Sequence, residues 1–111
     1  MISADIKLET RKAIYARDGY RCALCDSTKY IQIHHFIPRG HGGSDHPHNL
    51  ICLCSDCHGT AHGMQLYGPD IGVYDIEKDA CEYLADFYAP DWNPWKKGYN
   101  IYRNTGEREG G

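Results

Sequence analysis

The sequence predicts a small α+β domain that needs a bound metal to supplement a thin hydrophobic core. Only 19 of its 111 residues are Leu, Ile, Val or Phe, a fraction at which a chain has difficulty building a core by itself. Six cysteines, four of them in two Cys-x-x-Cys pairs, offer the additional cross-link that such a domain requires. Helical periodicity near both ends, with short apolar segments between, indicates helices and strands in one small unit.

The first predicted element is a helix near the N-terminus. Ser3 can cap it, with Asp5 in its first turn, and Gly19 can end it. Several residues recur at helical spacing, namely Ile6, Thr10, Ala13, Ile14 and Arg17. The helix and the residues after it are basic, with Arg11, Lys12, Arg17 and Arg21.

The middle of the chain predicts short elements around a long loop. Residues 30–34 have the alternation of a strand. Residues 36–49 contain two prolines and three glycines, which predicts a loop. A short apolar segment follows at residues 50–53, and a helix of one or two turns is predicted to begin near Ser55 and to end before Gly63.

The C-terminal part predicts one amphipathic helix and a loosely held tail. Asp75 can cap a helix over about residues 75–89, which Pro90 and Pro94 would end. Its apolar face would contain Ile76, Ala80, Tyr83, Leu84 and Phe87. The chain therefore divides into residues 1–66, which hold the cysteines and histidines of interest, and an extension over residues 67–111 with its tail from Lys97.

Charge and hydropathy limit the kinds of partner. The net charge is −3, with residues 1–62 carrying +1 and residues 63–111 carrying −4. Contacts with phosphate are therefore expected from the first part and from bound metal. The sequence has no apolar run of the roughly 18 residues that a membrane span needs. Its first residues also lack the basic and apolar regions of a signal peptide, so an intracellular protein is expected.

The two Cys-x-x-Cys pairs predict a structural zinc site. Cys22 and Cys25 form one pair, Cys54 and Cys57 the other, and 28 residues separate them. Two such pairs complete the four-thiolate tetrahedron that structural zinc prefers. Alternatives are two disulfides, a redox pair, or Cys52 in place of Cys54. Cys52 and Cys81 are otherwise expected to be small buried residues.

All seven histidines lie between His34 and His62. His34 and His35 are adjacent on the predicted strand, so they should face opposite ways and have different roles. His58 and His62 are four residues apart on the predicted helix, which suits two ligands of one metal, although two solvated histidines would show the same spacing. The loop histidines, His41, His46 and His48, are expected at the surface.

Several of these segments together resemble one known family. The letters IHHFIPRGHGG at residues 33–43 and NLICLCSDCH at residues 49–58, with His62 following, resemble the HNH endonuclease motif in its form with a four-cysteine zinc site. That form is found in phage, mobile-element and restriction nucleases. RDGYRC at residues 17–22 is similar to the segment before the first cysteine pair in that family. The resemblance covers about residues 11–62.

The resemblance implies a ββα-metal (His-Me finger) fold, in which a hairpin and a helix hold a catalytic divalent ion at the scissile phosphate. It implies that His35 is the general base, that His34 and His58 are ligands of the ion, and that His62 is a third ligand. Asn49 matches the central asparagine, which braces the loop and orients the base. Many relatives have Asp where this chain has His34. Arg39 lies four residues after His35 on a glycine-rich turn, where it can contact a phosphate or be a solvated turn residue.

The expected function is therefore that of a metal-dependent endonuclease that nicks or cleaves DNA. An imidazole can activate water near neutral pH, and a divalent ion can stabilise charge on the phosphate. The expected cofactors are structural Zn²⁺ and a catalytic Mg²⁺, Mn²⁺ or Ni²⁺. The alternative is a non-catalytic zinc module that docks on DNA or on a phage packaging (terminase) protein. The expected location is the cytoplasm of a bacterial or phage-infected cell.

Overall fold

The computed structural model describes residues 6–97 as a small α+β structure. Its regular elements are α1 (Leu8–Arg17), β1 (Gln32–His35), β2 (Leu50–Leu53), α2 (Ser55–Ala61) and α3 (Val73–Phe87). Two short 3₁₀ turns, Arg39–His41 and Pro47–Asn49, lie in the loop between the strands. None of the helices in this part of the chain is long and apolar enough to cross a membrane. The predicted cap at Ser3 and most of the tail lie outside the described residues.

The two strands form an antiparallel hairpin at the centre of the molecule. Gln32 pairs with Leu53 at one end of the register and His35 pairs with Leu50 at the other. The strand predicted over residues 30–34 therefore begins two residues later and includes His35. Tyr30 explains the difference, because its φ of 52° places it in the left-handed region, which interrupts an extended strand.

Helix α3 begins two residues before the predicted start. Gly72 is the N-cap, and Asp75 lies in the first turn, where its carboxylate accepts a hydrogen bond of 2.9 Å from the Gly72 backbone N–H. Asp75 thus stabilises the start of the helix from inside it. The predicted apolar face is partly confirmed. Ile76, Ala80 and Leu84 are buried, whereas the Phe87 side chain is exposed.

Strand β2 is buried on both faces because helices cover both sides of it. On one face, Leu50 and Cys52 pack against Ile14 of α1 and against Ile6, which precedes this helix. On the other face lies a larger cluster that α2, α3 and the cysteine pairs share: Cys22, Ile51, Leu53, Cys54, Cys57, Ala61, Ile76, Ala80 and Leu84. Helix α3 therefore shares a core with the hairpin, and the division between residues 1–66 and 67–111 stays a prediction.

A buried ion pair joins these parts. The Arg17 guanidinium donates two hydrogen bonds, of 2.7 and 2.8 Å, to the Asp18 carboxylate, and both side chains are almost entirely buried. The remaining donors of Arg17 reach the carbonyl oxygens of Pro47 and Leu50 and the Tyr88 hydroxyl. The Asp18 carboxylate also accepts from the Cys52 backbone N–H and the Tyr83 hydroxyl. Arg17, predicted as part of a basic surface, is instead a structural residue.

We expect Asp18→Ala to lower the free energy of unfolding by about 3–5 kcal/mol, because it leaves the Arg17 charge buried without its partner. Urea denaturation of the zinc-loaded protein measures this change. Glu82→Ala is the matched control, since it removes a carboxylate from an exposed pair with Lys78 on the surface of α3. The control should leave the midpoint almost unchanged. Equal midpoints for the two variants would show that the buried pair contributes nothing beyond an exposed one.

Candidate metal centres and active site

Four cysteine side chains converge in the structure as the sequence predicts. Cys22 and Cys25 follow α1, and Cys54 and Cys57 lie at the start of α2. The four sulfur atoms all lie within 4.8 Å of one another, with Cys25 3.6 Å from Cys54 and 3.9 Å from Cys57. Four thiolates bound to zinc at about 2.3 Å would be about 3.8 Å apart, whereas a disulfide needs about 2.0 Å. The donor set and its spacing fit a tetrahedral metal.

The surroundings of these cysteines favour a thiolate at Cys54. Cys54 is the N-cap of α2, and the Cys57 backbone N–H donates to its sulfur. Burial acts against ionisation, but this and neighbouring hydrogen bonds lower the pKa of Cys54 to about 7. The Tyr67 hydroxyl lies 3.2 Å from the Cys57 sulfur and 3.9 Å from that of Cys54. Tyr67 is a neighbour of the site that the sequence does not indicate.

The two remaining cysteines lie outside this cluster. Cys52 is fully buried in the α1 side of the core, and burial raises its pKa to about 12. Its predicted role as a small core residue is confirmed, and the structure places Cys54 rather than Cys52 among the four converging sulfurs. Cys81, also predicted as buried, is only half-buried on α3.

Three histidines form a second cluster. The first is His34 on β1, the second is His58 in α2, and the third is His62, directly after the end of α2. Each offers one ring nitrogen, and these three atoms lie within 4.8 Å of one another. The Nε2 atoms of His58 and His62 are 3.1 Å apart. His34 Nε2 is buried without a hydrogen-bond partner, a costly arrangement that a bound cation at this atom would remove. The residues therefore fit a divalent metal ion.

The surroundings of His58 favour its neutral form, which is the form that can bind a cation. Burial, together with the charges that His34 and His62 would carry, lowers the pKa of His58 to about 4, so its imidazole is neutral at physiological pH. The Nδ1–H of His58 donates to the Gln32 side-chain oxygen, which leaves its Nε2 free to face the other histidines. Such a contact orients a ligating imidazole.

His35 faces the loop between the strands instead. Its Nε2 lies 2.8 Å from Asp45 Oδ1, and Arg39 binds the same carboxylate with contacts of 2.9 and 3.0 Å. Burial would raise the pKa of Asp45, but the hydrogen bonds from His35 and Arg39 outweigh it and lower the pKa. An ionised Asp45 accepts the Nε2 proton of His35, so the lone pair of the imidazole is on Nδ1.

Asn49 braces this loop from inside the molecule. Its fully buried amide group donates to the carbonyl oxygens of Ile37 and Ser44 at 3.0 and 2.9 Å and accepts from the Ile37 N–H at 2.6 Å. The loop is so compact that a Cβ at Gly43 would lie 1.7 Å from the Ile37 carbonyl oxygen. Asn49 therefore shapes the segment that carries Asp45, and Asp45 makes the contact with His35.

The other loop histidines are only partly as predicted. His41 is exposed, as expected, but His48 is buried against the Tyr88 ring and accepts a hydrogen bond of 3.0 Å from the Asn93 N–H. His46 is half-buried and is the N-cap of the 3₁₀ turn Pro47–Asn49. The surface prediction was wrong for His48 because residues after α3 fold back over the loop, which local sequence does not reveal.

The histidine cluster and His35 border the same open cleft, which has a volume of about 300 Å³. The cleft brings together His34, His35, His58, His62 and Arg39, with Ile33 and Pro38. Three polar partners, Gln32, Asp45 and Glu77, were not predicted. Gln32 could have been found, since it precedes His34 by two residues on the same strand. Glu77 had no local signal, because it lies 43 residues after His34 and approaches its Nε2 to 3.5 Å only through the packing of α3.

Comparisons with known proteins agree with this geometry. A family model for the HNH endonuclease matches residues 22–63, just over a third of the chain. The type IV methyl-directed restriction enzyme EcoKMcrA of Escherichia coli strain K12 is 41% identical over 39 residues, which is 35% of this chain and 14% of that enzyme. No solved structure matches the chain. Neither match points to a phage packaging protein.

The matched segment contains the hairpin, α2, both cysteine pairs and all three clustered histidines. The basic residues of α1 and the whole of α3 lie outside it. A two-stranded antiparallel sheet followed by a helix, with a four-cysteine metal site beside it, is the arrangement expected for a ββα-metal fold. In sequence and in fold, residues 22–63 of this chain are therefore similar to an HNH endonuclease domain.

Proposed function

We propose that this protein hydrolyses phosphodiester bonds of DNA as a metal-dependent endonuclease. The observation that carries the proposal is the cleft in which a three-histidine cluster, suited to a cation, meets a histidine whose tautomer a carboxylate fixes. A relative that is a restriction enzyme supports DNA as the substrate. Whether the protein nicks one strand or cuts both depends on how DNA lies over the cleft.

The proposed roles follow from the contacts of each side chain. His35 accepts the proton of the attacking water at Nδ1, while Asp45 holds its Nε2–H and stabilises the imidazolium that forms. Asn49 keeps the loop in shape around them. Arg39 borders the cleft and can bind a phosphate oxygen, provided that the phosphate shares or replaces its ion pair with Asp45.

His34, His58 and His62 would hold the divalent ion, which is Mg²⁺, Mn²⁺ or Ni²⁺ in this proposal. When bound, the ion supplies positive charge for the phosphate and for the leaving oxygen. The neutral imidazoles themselves take no charge from such an ion. The four cysteines would hold Zn²⁺ as a structural ion that leaves no coordination position open.

The second candidate is a zinc module that docks on DNA without cutting it. Electrostatics do not favour it: the chain carries a net charge of −3, and Arg17 is buried in an ion pair and thus unavailable to phosphate. Tight binding to DNA depends on contacts from basic residues. A docking module also has no need for a histidine that a carboxylate holds at the edge of such a cleft, so the enzyme is the better proposal.

For the cysteine site, we expect about one tightly bound zinc per chain and a protein that unfolds when a strong chelator removes it, since the metal joins the segment after α1 to the start of α2. Cys54→Ser should lose zinc and cooperative unfolding together. Cys81→Ser, which changes a cysteine outside the cluster, is the control and should keep both. Elemental analysis and thermal unfolding provide the measurements. Intact zinc and cooperative unfolding in Cys54→Ser would refute the assignment of Cys54 as a ligand.

For the histidine site, we expect His34→Ala or His58→Ala to weaken Mn²⁺ and Ni²⁺ binding and to abolish cleavage while the zinc content stays at that of the wild type. His62→Ala should have a smaller effect if water can take its place. Calorimetric titration of the zinc-loaded protein measures the affinities, and exposed His41 provides the control as His41→Ala. Unchanged metal affinity in both His34→Ala and His58→Ala would refute the assignment.

For His35, we expect the Ala variant to keep its zinc, its thermal stability and its divalent-ion binding, yet to cleave supercoiled plasmid about 10²–10⁴-fold more slowly, which is the usual contribution of general-base catalysis. The docking candidate predicts instead that the wild-type protein shows no metal-dependent nicking at all. Full plasmid cleavage by His35→Ala would mean that another group activates the water.

A further inference from the structure

We propose that Glu77 of α3 is the carboxylate member of the histidine centre and binds the divalent ion together with His34, His58 and His62. This inference rests on the proposed function of that centre. Glu77 lies 14 residues beyond the end of the HNH match, so the part of the chain outside the family segment would contribute a metal ligand.

The first support is the position of Glu77 beside an unpaired buried atom. Its Oε2 lies 3.5 Å from His34 Nε2, the buried nitrogen without a hydrogen-bond partner. This separation exceeds the roughly 2.7–3.2 Å of a hydrogen bond. It is close to the distance of about 3.3–3.4 Å between two ligands of one tetrahedral ion bound at 2.0–2.1 Å. The spacing of this pair therefore fits two ligands of one ion. The Glu77 carboxylate lies outside the group of ligand atoms that His34, His58 and His62 form within 4.8 Å of one another, so it has to turn toward these histidines to share their ion.

The second support is the way in which α3 holds this side chain. Ile76 and Ala80, which flank Glu77 on the helix, are buried in the core shared with α2. The Glu77 side chain is about one-third exposed, so it borders solvent while its backbone is fixed by packing. Other acidic residues of α3 do not share this position: Glu82, for example, is paired with Lys78 at the surface.

A carboxylate in the centre has a consequence for the choice of metal. Imidazole ligands suit Ni²⁺ and Zn²⁺, whereas carboxylates suit Mg²⁺ and Mn²⁺. A site of three histidines alone should favour Ni²⁺ over Mn²⁺ strongly. With Glu77 as an additional ligand the preference should be smaller, because the negative charge benefits the harder ion more.

The experiment titrates zinc-loaded protein with Mn²⁺ and with Ni²⁺ in a calorimeter, comparing wild type, Glu77→Gln, Glu77→Asp and the control Glu82→Gln. We expect Glu77→Gln to lose about tenfold or more in Mn²⁺ affinity and distinctly less in Ni²⁺ affinity, with thermal stability close to that of the wild type. Glu77→Asp, which keeps the charge on a shorter side chain, should be intermediate. Glu82→Gln should match the wild type for both ions.

Each outcome has a separate meaning. Equal losses for Mn²⁺ and Ni²⁺ in Glu77→Gln would show a structural effect and overturn the assignment of Glu77 as a ligand, as would affinities within twofold of the wild type. If Glu77→Gln fails to fold, the ratio of Mn²⁺ to Ni²⁺ affinity in Glu77→Asp decides in the same way. If the wild-type protein binds neither ion at the histidines, the proposed function fails first, and the role of Glu77 fails with it.

Discussion

The buried ion pair between Arg17 and Asp18 is the interaction on which most of this structure depends. Two charges withdrawn from water are tolerated only when each has its hydrogen bonds satisfied. Here the partners come from the loop, from β2 and from the residues of α3 and just after it. The pair therefore requires α1, the hairpin and α3 to be in place together. In a domain with so few aliphatic residues, it supplies specific connections that a thin core cannot.

The hairpin directs two neighbouring histidines, His34 and His35, to different partners at the cleft. His34 is directed toward α2 and joins His58 and His62, whereas His35 is directed toward the loop and meets Asp45. Strand geometry alone produces this division, because successive side chains leave opposite faces. The loop then completes it, since Asn49 and the tight packing at Gly43 hold the segment that presents Asp45.

The segment after the HNH match is part of the same working unit. Tyr67 contacts sulfur atoms of the cysteine cluster, Glu77 approaches His34, and residues beyond α3 cover His48. These contacts place groups of the second half of the chain beside the cysteine cluster and the histidine cluster. This half is acidic, which is unfavourable for binding DNA over a wide surface, and one of its carboxylates, that of Glu77, lies beside the histidine cluster.

The sequence by itself determined the elements whose signals are local. Cys-x-x-Cys spacing predicted the four converging sulfurs, the four-residue spacing of His58 and His62 predicted a pair on one side of a helix, and glycines and prolines predicted the loop. These depend on a few neighbouring residues and on backbone geometry, so the order of residues is sufficient. Two small errors remained: β1 starts later than predicted because Tyr30 is left-handed, and α3 starts earlier because Gly72, not Asp75, is its N-cap.

Only the tertiary structure decided which distant groups meet. From the sequence, Arg17 is expected to be a surface cation. In the structure its guanidinium is surrounded by Asp18, Pro47, Leu50 and Tyr88. His48 reads as a loop residue until the chain after α3 covers it. The sequence does not mark Asp45 or Glu77 as site residues, because their importance depends on the side chains that they approach, His35 and His34. The physical reason is that burial and electrostatic environment are properties of packing between segments far apart in the chain, and no local pattern records them.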